Sequence, residues 1–346
     1  MTAAASAARP RRRVLLLGAG LLTAVLVLVV ARVLLGTPFV YADLAVRVLL
    51  GEDVPGVSFI VLDDRLPAAL VGVLAGASFG LSGTVFQTLL RNPLASPDVI
   101  GVSLGSSAAA VFALAVLDAQ GLTLFWWTLL GGLATALLVL WVARAHRAGG
   151  AGAGGAGAVD DRFVLVGIGV AAALTALIQY LLSRMPTQRA GDAMHWLVGS
   201  LSGATWPRLA VLAGALCVLV PLLALLLGRL RILQLGDDTA TSLGLPVPAT
   251  RIALVVVGVL LSALPVAVAG PLAFVAFLSG PIARMLAGRP SVPLAALVGA
   301  VLVLAADVAG QNLFGRIDLA AGVITGALGA PFLLWMLVRS AAGSGR

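Results

Sequence analysis

The sequence predicts an all-α, multi-spanning membrane protein, and three observations predict it. Mean hydropathy is +1.11. Hydrophobic residues make up 61% of the chain and charged ones only 10%, whereas a soluble domain carries about 25% charged residues and could not solvate so apolar a surface. The apolar residues also fall into runs near span length, separated by arginine, proline and glycine.

The first run, 14–35, follows a basic N-terminus, residues 1–13, with Arg9, Arg11, Arg12 and Arg13. It is long enough to span at ~1.5 Å per residue, and Thr37-Pro38-Phe39 offers no small-residue cleavage site. It is therefore read as a retained span. Residues 36–64 are acidic and long enough for a short surface helix. The second run, 68–90, ends at a polar break containing two prolines, Arg91-Asn92-Pro93-Leu94-Ala95-Ser96-Pro97-Asp98. Asn92 and Pro93 stop one helix, and Arg91 complements the negative end of that helix's dipole. Ser96, Pro97 and Asp98 read as N-cap, first-turn proline and first-turn acid of the next helix. Gln87, an amide at a span end, wants a polar partner or water, which makes it a pathway candidate beside Ser82. Gly76, Gly80 and Gly83 also suit close helix packing.

Runs 99–117 and 125–142 follow. Residues 148–158 are only glycine and alanine and read as a flexible cytoplasmic tether. After run 163–182, residues 183–208 carry Trp196 and Trp206 and suit an interfacial helix. Run 209–228 precedes a polar loop, 229–251, in which Gly236-Asp237-Asp238 before Thr239 to Leu243 reads as a short capped helix. Leu235, Ala240 and Leu243 would be its apolar face. Runs 252–269, 272–287, 294–309 and 319–338 complete ten, with 341–346 as a tail; 272–287 and 294–309 fall short of the ~20 residues of a full span.

With the N-terminus inside, ten spans return the C-terminus to the same side. All 22 basic residues are arginine. Fifteen then lie inside and six outside (Arg47, Arg65, Arg184, Arg189, Arg208 and Arg316), while Arg32 lies within the first helix. That follows the positive-inside rule. Asp307 is an acid in an apolar run, functional by default unless it reaches the interface.

Several functions are excluded. A Walker A loop needs a lysine, so any ATPase must be another polypeptide. Net charge is +8, but arginines scattered between apolar runs are a topology signal and do not form a nucleic-acid stripe. One cysteine and two separated histidines cannot make a conventional tetrahedral metal site.

The residues resemble a known family. Arg65-Leu66-Pro67, Gly76 to Gln87, Arg91 to Asp98 and Gly101-Val102-Ser103-Leu104-Gly105 look like the permeases of iron–siderophore, haem and cobalamin ABC importers, the FecCD type. Trp196 to Gly203, Leu235 to Gly244, Gly270 to Val275 and Gly322 to Phe332 continue the likeness, which covers roughly residues 14–340. The resemblance implies a ten-helix type II ABC importer permease with cytoplasmic termini, in the cytoplasmic membrane of a bacterium. It implies a second permease subunit, the same or similar, two ATPase subunits that hydrolyse ATP inside, and a substrate-binding protein outside. No cofactor would be held by this chain.

By the same resemblance, Gly236, Asp237, Asp238, Thr239, Ala240, Leu243 and Gly244 form the coupling element that receives motion from the ATPase. Arg91, Asn92, Pro93, Ser96, Pro97 and Asp98 contact the ATPase or hold the inner helix ends for gating. Arg65 and Arg316 would pair with carboxylates of the binding protein. Two departures stand out. Ala68 replaces an arginine, and Ile282 replaces a histidine between Pro281 and Arg284. The expected cargo is an iron chelate of siderophore type, with haem and cobalamin as alternatives.

Two other classes compete. Gly76 to Gly80 and Gly101 to Gly105 fit G-x-S-x-G, and Ser82 could mimic the nucleophile of an intramembrane serine protease. The histidines, His146 and His195, do not sit within spans. An ion-driven transporter would need buried charges along its path, and the span interiors are nearly free of them.

Overall fold

The computed structural model describes residues 2–98, 101–148, 157–314 and 318–344. In chain order the helices are α1 (Thr2–Leu34), α2 (Ala42–Leu49) and α3 (Val57–Phe59), which runs through a π-helical turn (Ile60–Arg65) into α4 (Leu66–Leu89). Then come α5 (Val102–Val116), α6 (Gly121–Ala148), α7 (Gly157–Arg184), α8 (Thr187–Val198) and α9 (Trp206–Leu233). The last are α10 (Asp237–Ser242), α11 (Val247–Ala269), α12 (Val275–Ala287), α13 (Val292–Asn312) and α14 (Ala321–Ser344). No strand occurs among the described residues.

Among the described residues, eight helices are long and apolar enough to cross a membrane, and α5 and α12 are shorter apolar helices. α12, at 13 residues, rises only about 20 Å at 1.5 Å per residue. Its start is set by a break. Gly270 takes a φ of 74° and Phe274 a φ of 63°, so Gly270 to Phe274 cannot continue α11. The second span begins well before residue 68, because Val57 to Leu89 is one continuous helix and Asp63, Asp64 and Arg65 lie in it. The expected tether falls mostly outside the described residues, at 149–156.

By packing, the chain forms two units. The first comprises Met1–Leu81, Val198–Val211 and Leu272–Arg346. In it, α13 packs on α1, α12 and α14, and its backbone meets α4. A Cβ on Gly76 would stand 2.3 Å from the Gly299 carbonyl oxygen, and one on Gly80 2.2 Å from that of Ala295. The four-residue spacing places both glycines on one helix face. Ala68 is buried, and Ile282, like Val14, Leu17 and Leu21, packs against a cluster of Ala283, Leu294, Ala295 and Val298.

The second unit comprises Ser82–Leu197 and Leu212–Pro271. There α5 and α6 are in close contact: a Cβ on Gly105 would meet the Thr135 hydroxyl at 2.0 Å, and one on Gly131 the Gly105 carbonyl at 2.5 Å. α11 lies against both. Trp196 of α8, expected at an interface, is half-buried against Ala110, Ala113, Ala119 and Leu124.

Candidate functional site

At the end of the second unit where α4 and α9 finish, Arg91 joins two polar segments. Its Nη2 donates to the Leu233 carbonyl at 2.8 Å. Leu233 is the last residue of α9, whose final carbonyls have no partner within the helix. Arg91 thus satisfies the end of α9, whereas the sequence reading assigned it to the end of α4. Arg91 itself adopts a φ of 49°, a left-handed conformation uncommon outside glycine. Two bonds stabilise this turn: the Asn92 amide donates to the Gln87 carbonyl at 3.1 Å, and the Asn92 side chain accepts from Leu94 N–H at 2.9 Å.

The next helix starts later than expected. Ser96 is buried and does not cap it; α5 begins at Val102 behind Gly101, whose φ is 85°. Pro97 and Asp98 form a turn instead, with Gly101 N–H donating to the Asp98 carbonyl at 3.0 Å. The reason is glycine's access to a left-handed conformation, which sets the chain's entry into α5 at Gly101. Asp98 keeps a link to that helix by accepting from the Ser103 hydroxyl. Burial raises the Asp98 pKa above the ordinary carboxylate range, and the Ser103 hydrogen bond opposes this.

The loop that continues from α9 holds α10, six residues long, behind Gly236 with a φ of 111°. Asp237 and Asp238 occupy its first turn, and Gly244, at a φ of 81°, closes it. The Thr239 carbonyl accepts from Leu243 N–H at 3.0 Å. Arg251 of α11 donates to both carboxylate oxygens of Asp237, at 3.0 and 3.2 Å, and ties α10 to the unit. Leu235 and Leu243 are 62% and 61% exposed, but Ala240 is fully buried. The apolar face expected of all three is therefore Leu235 and Leu243 alone, with Ala240 turned inward as the anchor.

Ser82 and Gln87 are both buried within the chain. The Ser82 hydroxyl donates to the Gly258 carbonyl at 2.6 Å, fastening α4 to α11. That contact occupies the hydroxyl in packing. Neither residue offers a surface to a solvated path in this conformation.

In the first unit, Arg65 is 3% exposed. Its guanidinium donates to the carbonyls of Val33 (3.0 Å), Leu34 (3.2 Å) and Pro38 (2.6 Å). Val33 and Leu34 are the last residues of α1, whose carbonyls lack partners within the helix; Leu34 also accepts from Val40 N–H, and Arg65 completes the cap. In this conformation the guanidinium expected to face outward is turned onto those carbonyls. Arg316 lies outside the described residues.

One cluster was not anticipated. Arg32 of α1 donates through Nε to Asp307 of α13, and Gln311 adds bonds to both Asp307 oxygens at 3.2 Å. Arg32 and Asp307 are each 3% exposed. A signal existed: each is a lone charge in an apolar run, and the span count puts both near the outer ends of their helices. They are 275 positions apart, and pairing across that distance is a tertiary fact.

A family model described as the FecCD transport family matches residues 21–339. The ferric enterobactin transport system permease protein FepG of Escherichia coli (strain K12) is 39% identical over 295 residues, covering 84% of this chain and 86% of that protein. The Fe(3+)-citrate import system permease protein YfmE of Bacillus subtilis (strain 168) is 33% identical over 336 residues, 95% of this chain and 96% of its own. A solved structure, described as an inward-facing conformation of a metal-chelate type ABC transporter, superposes with a TM-score of 0.79. It is 24% identical and covers 93% of this chain and 98% of that one, a likeness of fold.

Proposed function

Because the chain belongs to the FecCD transport family, we propose that it is the permease subunit of an ABC importer for an iron chelate of siderophore type. The observation that carries the reading is similarity over 84–95% of the chain to relatives whose names specify ferric enterobactin, achromobactin and ferric citrate transport. It works across the cytoplasmic membrane of a bacterium, and the energy comes from a separate ATPase. A chain without lysine has no Walker A loop of its own.

In this reading the eight long helices are completed to ten spans by α5 and α12, with both termini in the cytoplasm. The positive-inside count supports that orientation. The permease pairs with a second permease, the same or similar, and receives two ATPase subunits inside and a binding protein outside. α10 is the coupling element: Leu235 and Leu243 seat in a groove of the ATPase, in the manner of a helix-in-groove contact. Motion there passes to the Arg91–Asp98 hairpin, because Arg91 holds the Leu233 carbonyl just before α10. The binding protein docks on the outer face, where the candidates are Arg316 and Arg65, the latter held on α1 carbonyls in the present conformation.

Reconstituted vesicles test the proposal. With ATPase, binding protein and ATP present, a radiolabelled ferric catecholate or ferric citrate should accumulate, and collapse of ion gradients should not reduce it. Uptake that persists without the ATPase would overturn the ABC assignment. Uptake of haem or cobalamin in place of any ferric chelate would overturn the iron assignment.

A further inference from the structure

The middle turns of α1, Arg12 to Leu21, border a groove that the transport reading does not use. α1 is the least buried long helix: 6% of its most apolar window is buried within the chain, against 78% for the helix containing α4. The groove holds about 620 Å³. Leu16, Leu17, Gly20, Leu21 and Leu286 form its apolar walls, and Arg12 and Arg13 stand at one end. No carboxylate lines it.

The two arginines differ. Arg13 donates from Nη2 to the Leu286 carbonyl at 3.0 Å, in the last turn of α12, which holds the groove's two sides together. Arg12 is exposed and makes no hydrogen bond or ion pair among the described residues. Arg284 and Arg289, exposed at the same end of α12, add positive charge nearby. From Arg13 to Gly20 the helix rises about 10 Å. The groove thus runs from a cationic end into a segment apolar enough to sit in hydrocarbon.

Gly20 gives the groove its depth. A Cβ there would meet nothing within 4 Å, whereas one on Gly18 would touch Leu294 at 3.7 Å. Gly18 faces the protein and Gly20 faces the groove.

We propose that this groove binds an anionic glycerophospholipid. The phosphate sits at Arg12 and Arg13, and one acyl chain lies along Leu16, Gly20 and Leu286. Charge complementarity selects an anion, and the apolar walls select a ligand with a tail. A soluble phosphate would leave those walls uncovered. A protein partner in the cytoplasm would meet the arginines without reaching Gly20.

The test uses the full chain in dodecyl maltoside, with thermal unfolding followed while lipid is added. Phosphatidylglycerol should raise Tm more than phosphatidylcholine of the same acyl chains, and glycerol 3-phosphate should have no effect. Arg12→Gln should weaken the apparent affinity for phosphatidylglycerol about fivefold, given about 1 kcal/mol per basic residue near an anionic headgroup. Arg12→Lys should restore most of it. Gly20→Leu should fold normally, since it enters open space, and should weaken the response to both lipids. Equal responses to the two lipids, or no change in Gly20→Leu, would overturn the proposal. So would an equal loss in Arg339→Gln, which would indicate diffuse surface charge. If Arg12→Gln weakens ATPase association and leaves the lipid response intact, the surface is a protein contact and the lipid site fails.

Discussion

Arg32 and Asp307 illustrate what a single charge requires in an apolar setting. An unpaired ion within a bilayer is costly, and each of these residues finds its partner on another helix. Breaking a buried pair costs about 3–5 kcal/mol because the remaining charge is uncompensated. Arg32→Met or Asp307→Leu alone should therefore lower Tm sharply, while the two together should be milder than either single change. Thermal unfolding of the three purified variants checks this. If the double variant is the worst, the pair contributes more than mutual neutralisation.

Asp98 makes a different residue-scale prediction. Burial raises its pKa in the folded state above that in the unfolded chain, so the fold favours the protonated form. The stability from this preference is fully present below the unfolded pKa. It is lost as pH rises through the folded value. Asp98→Asn should flatten that part of the stability–pH curve and spare the loss at neutral pH. An unchanged curve in a pH series of unfolding measurements would remove Asp98 from the account.

At the scale of elements, close helix approach explains more than propensity does. The α4–α13 contact is backbone on backbone, and the Gly76 and Gly80 positions leave no room for a side chain. Gly80→Leu should destabilise by at least about 1–3 kcal/mol, the usual cost of overpacking, whereas Gly20→Leu should not. The glycines were legible as packing residues because small residues allow close helix approach. Their partner helix was not, because a helix face does not name what it faces. The start of α5 was misread for a related reason: Ser-Pro-Asp has the chemistry of a cap, yet Gly101 enters the helix five residues later. Local side-chain preference lost there to a backbone conformation that glycine adopts cheaply.

At the scale of the whole molecule, coupling makes the sharpest prediction. Leu235 and Leu243 are exposed, so Leu235→Ser with Leu243→Ser should leave Tm nearly unchanged. The same variant should lose ATPase binding and most chelate uptake in vesicles. Full uptake in a correctly folded variant would take the coupling role away from α10. Ala240→Ser or larger changes would not serve, because Ala240 is packed inside the unit.

The amino-acid sequence by itself determined that this chain is apolar enough for a membrane, where its apolar runs fall, that it has no lysine for a Walker A loop, and which family it resembles. Those properties follow from composition, run length and ordered motifs, which need no knowledge of neighbours. Only the tertiary structure decided what the polar residues do. Arg65 bonds the carbonyls at the end of α1, the Ser82 hydroxyl fastens α4 to α11, and Arg91, read as complementing the dipole of α4, links to the end of α9. Arg32 and Asp307 became one buried pair. The physical reason is that a polar side chain in an apolar medium takes the nearest available partner. That partner is set by helix packing across hundreds of residues and not by the local run in which the side chain stands.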